Sequence, residues 1–243
     1  MNANMTIKPP FFEIGPKTYL YGDDVLELAL AADEAALRYD VDIIFTAPFV
    51  DIYRISKNTK HIHVFAPHMD PIRPGRGVAD ILPEAIQAAG AVGVMLNHCE
   101  KPLSLSALKK AIDRADEIGL FTIVCADSIA EAQAIAHLAP DIIVAEPSDL
   151  IGTGKVSSMD YVLESIRKVK AINPHILVLQ AAGISSGEDV YRVIRAGAEA
   201  TGSSSGIATA SDRTAMVDEM IRAVRMAWDD RMRSQEPLNH QNI

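Results

Sequence analysis

Short apolar runs rich in Ile and Val recur along the chain at a step of roughly 30 residues, the size of one strand-plus-helix unit. Eight runs read as strands: Phe11 to Lys17, Asp42 to Ala47, Ile62 to Ala66, Gly93 to Leu96, Phe121 to Cys125, Asp141 to Ala145, Ile176 to Gln180 and Ala200 to Gly202. The stretches between them read as helices: Asp23 to Arg38, Val50 to Ser56, Asp80 to Ala89, Leu105 to Ile118, Ile129 to Ala136, Tyr161 to Ile172, Gly187 to Ala196 and Arg213 to Arg231. Ser128 supplies a start signal, Gly119 a stop signal, and Pro140 falls just before the sixth strand. The strands are apolar on both faces, as a parallel sheet buried on both sides requires. Eight units closing on themselves predict a (β/α)8 barrel with a parallel eight-stranded core, although an open doubly wound sheet has the same local pattern.

The length of 243 residues fits one barrel or two smaller domains. No Gly-, Ser- or Pro-rich linker divides the chain, so the expectation is a single barrel domain over 1–233 and a polar tail over 234–243. With 49% apolar and 23% charged residues the chain can bury a substantial core. A net charge of −9 without a Lys/Arg cluster argues against nucleic acid or an anionic membrane as partner. An anionic substrate would need local positive potential. Cys99 and Cys125 make no disulfide framework, and MNANMTIKPP lacks the features of a signal peptide, so a reducing, cytoplasmic setting is expected.

In a (β/α)8 barrel the reacting groups sit where strands end and βα loops begin. Four such places carry chemistry. After the sixth strand, Glu146-Pro147 leads into Ile151-Gly152-Thr153-Gly154, a carboxylate followed by a loop whose glycines can absorb a lid movement. After the fourth strand, His98 in Leu96-Asn97-His98-Cys99-Glu100 could hydrogen-bond a substrate carbonyl. Lys17 is a lone cation in Phe12-Glu13-Ile14-Gly15-Pro16-Lys17. The loops Ala182-Gly183-Ile184-Ser185-Ser186-Gly187 and Gly202-Ser203-Ser204-Ser205-Gly206 are made of small residues whose amides can approach a phosphate.

Each feature alone has a plainer reading. Glu146 could pair with a neighbouring cation, His98 could be a satisfied polar residue, Lys17 could snorkel to solvent, and Gly/Ser loops are common turns. The set is what points to function: base, electrophile and lysine at strand ends six, four and one, with two phosphate-type loops after seven and eight. Nothing argues for a lowered thiol pKa at Cys99 or Cys125, and no His/Asp/Glu grouping has metal-ligand spacing.

These residues, with Phe45 to Asp51, Val64 to Pro71, Ile81 to Ala85, Gly90 to Gly93 and Gly187 to Val190, resemble the triosephosphate isomerase family, most closely its compact archaeal-type branch. The 48 positions between His98 and Glu146 match that branch's short spacing. The resemblance covers most of the chain. It implies Glu146 as the base, His98 as the electrophile and Lys17 as the phosphate and oxyanion partner. It implies phosphate binding by Ser185 and the backbone around Gly183, Gly202, Ser203 and Ser204, helped by the Gly152 amide. A neutral histidine and a closing loop are likewise implied by the resemblance and not by the spacing. The implied substrate is a small phosphorylated aldose or ketose, the implied assembly a homo-oligomer, dimer or tetramer, and no metal or organic cofactor is required.

Several positions depart from the family pattern. Gly15 stands where an asparagine usually touches the substrate, Pro67 replaces an amide residue, Cys99 a serine and Ala181 a phosphate-loop glycine. Lys101 stands as the basic residue after the glutamate, and Val78-Ala79 replaces the Thr-Gly pair that reaches toward a neighbouring subunit. These changes keep two alternatives open: a ketotetrose-phosphate or other sugar-phosphate isomerase on the same fold, and a non-catalytic sugar-phosphate-binding paralogue. A phosphate-binding lyase or epimerase is disfavoured, since no metal-ligand set or second strand-end lysine is present.

Overall fold

Alternate residues of a strand face opposite sides, so a closed barrel has one set facing its axis and the other facing the helices around it. The computed structural model describes residues 6–150, 157–181 and 183–235. Its strands are β1 (Phe11–Ile14), β2 (Asp42–Thr46), β3 (Ile62–Ala66), β4 (Gly93–Leu96), β5 (Phe121–Ala126), β6 (Ile142–Ala145), β7 (Leu177–Gln180) and β8 (Ala200–Ser203). They pair in parallel in sequence order, and β1 pairs with β8 to close the barrel. The open doubly wound sheet is thereby excluded.

The helices are α1 (Asp23–Tyr39), α2 (Ile52–Asn58), α3 (Pro83–Ala88), α4 (Leu105–Ile118), α5 (Ile129–Ala136), α6 (Met159–Ile172), α7 (Gly187–Ala196), α8 (Ser205–Ala208) and α9 (Arg213–Gln235). Serine side chains start four of them: Ser104, Ser128, Ser158 and Ser186 accept from the amides of Ala107, Glu131, Tyr161 and Asp189. Gly119 ends α4 in the left-handed region, where a glycine carries no Cβ penalty.

Most differences from the sequence reading are shifts of one or two residues, and four bear on the site or the domain limits. β1 stops at Ile14 because Pro16 has no N–H for the ladder, so Lys17 lies in the following loop and not on the strand. α3 begins at Pro83, whose fixed φ suits the first helical turn, and not at Asp80. The short helix α8 follows β8 where only a loop was expected. α9 runs to Gln235, two residues into the segment expected as tail.

Two shells of apolar side chains result. The outer shell holds Phe12, Ile14, Ile43, Phe45, Val64, Val94, Val124, Ile143 and Val178 against the helices. The inner shell holds Phe11, Ile44, Phe65, Ile123, Ile142, Val144 and Leu179, with Cys125 and Ala200 among them. One glycine is needed for this packing: a Cβ on Gly93 would lie 2.2 Å from the Phe65 ring, which fills the axis beside β4.

Beyond β3 the chain makes an excursion anchored at its base, where the Asp70 amide donates to the Ile81 carbonyl at 3.0 Å and the Ile81 amide to Asp70 Oδ2 at 2.7 Å. Buried Arg114 on α4 holds the same segment, donating to the Ile72 carbonyl at 3.0 Å and pairing with Glu84. Val78 projects from it at 94% exposure. Among the described residues no helix is long and apolar enough to cross a membrane.

The Gly93–Phe65 contact gives a stability test. Gly93→Ala should overpack the inner shell and destabilise the fold by about 1–3 kcal/mol, seen as a lower midpoint in urea unfolding. A midpoint unchanged from the native one would mean that the ring moves aside freely.

Candidate active site

The lower part of the barrel axis is filled by bulky rings and branched chains. At the C-terminal end of the strands the inward residues are smaller: Gly202, Ala181, Cys125, Val144 and Thr46. They form the floor of a cavity of about 920 Å³. Lys17, His98, Glu146, Gly183, Ser185, Gly202, Ser203 and Ser204 all line it. Gly152 and the rest of the Gly-Thr-Gly segment lie outside the described residues.

His98 is positioned by its neighbour. Asn97 adopts φ 58°, a left-handed conformation uncommon for a side-chain-bearing residue. Its buried amide donates to the Cys125 carbonyl at 3.0 Å and to Glu131 at 3.1 Å, while its Oδ1 accepts from the Leu103 amide at 2.9 Å. The β4 loop is therefore pinned to β5 and α5. The Glu100 amide donates to His98 Nδ1 at 3.1 Å, which makes Nδ1 an acceptor and leaves the proton on Nε2. Burial, then the positive charge of Lys17, holds the imidazole below its ordinary pKa, although Glu100 and Asp127 pull the other way. The 3.8 Å approach of Glu100 Oε2 to Nδ1 is accordingly not an ion pair, because that nitrogen has no proton to give. A neutral imidazole with an N–H donor is suited to polarise a carbonyl without surrendering a full charge.

Lys17 also has a left-handed φ, 49°, and its Nζ donates to Glu100 Oε1 at 3.1 Å. A strained residue held in this way at a cavity rim is a common mark of a working site. Glu146 follows β6 directly, its amide donating to the Ala126 carbonyl at 3.0 Å, which ties the start of its loop to β5. Burial, with Glu146 adding negative charge, pushes the Cys125 thiol well up, and burial does the same more mildly at Cys99. Neither cysteine is thus a ready nucleophile.

The two small-residue loops meet the cavity from β7 and β8. Ser203 Oγ donates to the Ile184 carbonyl at 2.8 Å and so ties one loop to the other. A Cβ on Gly206 would lie 2.6 Å from that same carbonyl, so the loops pack backbone to backbone. The amide and hydroxyl of Ser185 donate to Asp189 Oδ2 at 3.1 and 3.2 Å. α8 follows β8, the place where (β/α)8 barrels often bind phosphate at a short extra helix.

Three residues of the site escaped the sequence reading. Glu100 was part of the His98 block but not singled out, and its pairing with Lys17 joins two loops 83 positions apart. Glu13 and Thr46 line the cavity floor, hydrogen-bonded at 2.5 Å. The available signal was a charged residue inside the apolar strand Phe11-Phe12-Glu13-Ile14, at an inward position. Among the described residues no group of three or more His, Cys, Asp or Glu could hold a metal ion.

The family model described as triosephosphate isomerase matches residues 16–223. A protein named triosephosphate isomerase from Sulfurisphaera tokodaii is 34% identical over 220 residues, covering 88% of this chain and 95% of its own. Its namesake from Methanobacterium bryantii is 38% identical over 215 residues, covering 86% and 95%. That from Methanocaldococcus jannaschii is 37% identical over 216 residues, covering 87% and 98%.

The coupling of His98 to Lys17 is open to measurement. Lys17→Met removes a charge that lowers the His98 pKa and leaves Glu100, which raises it, so the midpoint should move upward in a carbon-detected NMR titration of the ring. A midpoint that stays or falls would show that the two side chains do not sense each other.

Proposed function

We infer the reaction from the family to which this chain belongs, that of triosephosphate isomerase, together with the groups at its barrel mouth. The protein is an aldose–ketose isomerase interconverting dihydroxyacetone phosphate and glyceraldehyde 3-phosphate. The observation that carries the chemistry is the convergence of Glu146, Lys17 and an Nε2-protonated His98 on one cavity at the C-terminal end of the barrel. A non-catalytic binder would have no use for that combination.

In this reading the Glu146 carboxylate takes a proton from the carbon beside the substrate carbonyl, and the electron pair moves to the carbonyl oxygen. His98 Nε2–H donates to the oxygens of the enediolate as charge develops there. Lys17 adds fixed positive charge in a cavity where a low dielectric strengthens it. A proton passes by way of His98 from the hydroxyl oxygen to the former carbonyl oxygen. Return of the proton from the Glu146 carboxyl to the former carbonyl carbon completes the exchange and leaves the new carbonyl on the other carbon. Gly183, Ser185, Gly202, Ser203 and Ser204 hold the phosphate, and the family resemblance assigns the Gly152 amide to it as well. Because Ser185 is turned to Asp189, phosphate binding requires its hydroxyl and amide to exchange that partner. The family resemblance assigns the exclusion of water and protection of the intermediate to the loop from Pro147 to Val156. No metal or organic cofactor enters any step.

A homo-oligomer, dimer or tetramer, is part of this reading. Tyr19, Phe49, Val50, Tyr53 and Val78 are exposed around the β1, β2 and β3 loops, and such apolar exposure on neighbouring loops suits a subunit contact. The setting inferred with this family is the cytoplasm.

Glu146→Gln tests the assignment. It should lower kcat by about 100- to 10,000-fold, and with it the incorporation of solvent deuterium into substrate, while the protein stays folded. An unchanged rate would remove Glu146 from the mechanism.

A further inference from the structure

The mouth of the barrel holds a second carboxyl that the steps above leave without a task. Glu13 faces the axis from β1, is 9% exposed and lines the same cavity as Glu146, His98 and Lys17. An acid in a barrel interior is ordinarily paired with a cation. Among the described residues its hydrogen-bond partner is neutral: Thr46 on β2 donates to Oε1 at 2.5 Å.

The surrounding sequence makes room for this carboxyl. A Cβ on Gly15 would stand 3.0 Å from Oε1, and one on Gly202 would stand 3.2 Å from Oε2 and 2.8 Å from the Glu13 carbonyl. Neither glycine has a positive φ, so the backbone does not require glycine at either position. The space left by the two missing side chains is space the Glu13 carboxyl occupies.

Its electrostatic surroundings come from several elements. β6 leads to Glu146, β5 brings Cys125, the loop after β1 brings Lys17, and β8 offers only Gly202 and Ser203. Burial raises the Glu13 pKa to about 7; the Thr46 hydrogen bond opposes this, Glu146 raises it further and Lys17 lowers it. A phosphorylated ligand adds negative charge to the same cavity and drives the group toward its neutral form. Since Oε1 accepts from Thr46, the proton belongs on Oε2.

We propose that Glu13 is a substrate-contacting residue: its neutral carboxyl donates a hydrogen bond from Oε2 to an oxygen of the open-chain sugar phosphate and helps set which one the cavity accepts. This role rests on the isomerase reading above. It gives the Glu13, Thr46, Gly15 and Gly202 group a single purpose, a hydrogen-bond donor on the cavity floor made from an acid. When Glu13 ionises, the donor is lost and a carboxylate faces an anion.

The experiment is a pH profile of kcat/KM for the full chain, first screened on three- to five-carbon aldose and ketose phosphates and then measured on the best of them. The native profile should fall by about tenfold or more as the pH rises through about 7, from loss of that hydrogen bond. Two neighbouring groups titrate away from this window, His98 at lower pH and the Cys125 thiol at higher pH, and comparison with Glu13→Gln on the same substrate separates Glu13 from the rest. Glu13→Gln keeps an N–H donor and the shape but cannot ionise, so the fall near neutrality should vanish. Thr46→Val removes the bond that lowers the Glu13 pKa, so the fall should move to higher pH, a shift that a purely structural role would not produce. If the native enzyme shows no such fall, if Glu13→Gln retains it, or if Thr46→Val leaves its position unchanged, the Glu13 role is overturned while the isomerase reading stands. If no sugar phosphate in the panel is turned over by the native protein, the isomerase reading itself fails.

Discussion

A closed barrel must fill its own axis, and the rest of this structure depends on how that is done. The β1–β8 pairing leaves no sheet edge, so inward side chains have nowhere to go except against one another. At the lower end Phe11, Ile44, Phe65, Ile123 and Ile142 fill the space, with Gly93 yielding room to the Phe65 ring. At the upper end the inward positions carry Gly202, Ala181, Cys125, Val144 and Thr46, and their small volume opens the cavity. The same alternation that makes a dry core therefore makes a site one layer above it.

That site works against the charge of the whole molecule. With a net charge of −9, attraction for an anion has to come from groups acting at close range. Lys17, the His98 N–H and the loop amides supply it, in a cavity where charges are poorly screened. The negative groups nearby are controlled by geometry. Glu100 ties down Lys17 through its side chain and His98 through its amide, so one residue sets both the position of the cation and the tautomer of the imidazole. Asn97 holds that loop to β5 and α5 and gives the arrangement a rigid footing.

Legibility in the sequence followed the range of the interactions. The strands and most helices could be read because apolar alternation and serine caps act within a few residues. Glu146, His98 and Lys17 could be named because they stand beside strand ends, where a barrel does chemistry. What was read less well depends on contacts between distant segments. Lys17 was placed on β1, although Pro16 ends the ladder before it. Helix α8 is a single turn, with too few residues to show a period. Glu13 lay in plain view in an apolar strand, but its meaning required knowing that Thr46, Gly15 and Gly202 surround it.

Eight strand–helix units, an apolar content sufficient to bury them, and a base, a histidine, a lysine and two small-residue loops at strand ends are legible in the chain alone. Residue type and spacing along the chain are enough for that. It takes contacts across the fold to close the units, with β1 against β8, and to bring groups from seven of the eight loops to one cavity. The same contacts fix the protonated nitrogen of His98, through the Glu100 amide, and raise the Glu13 pKa, through burial. Closure, burial and tautomer are set by atoms brought together across the barrel, and no spacing along the chain encodes the distances between them.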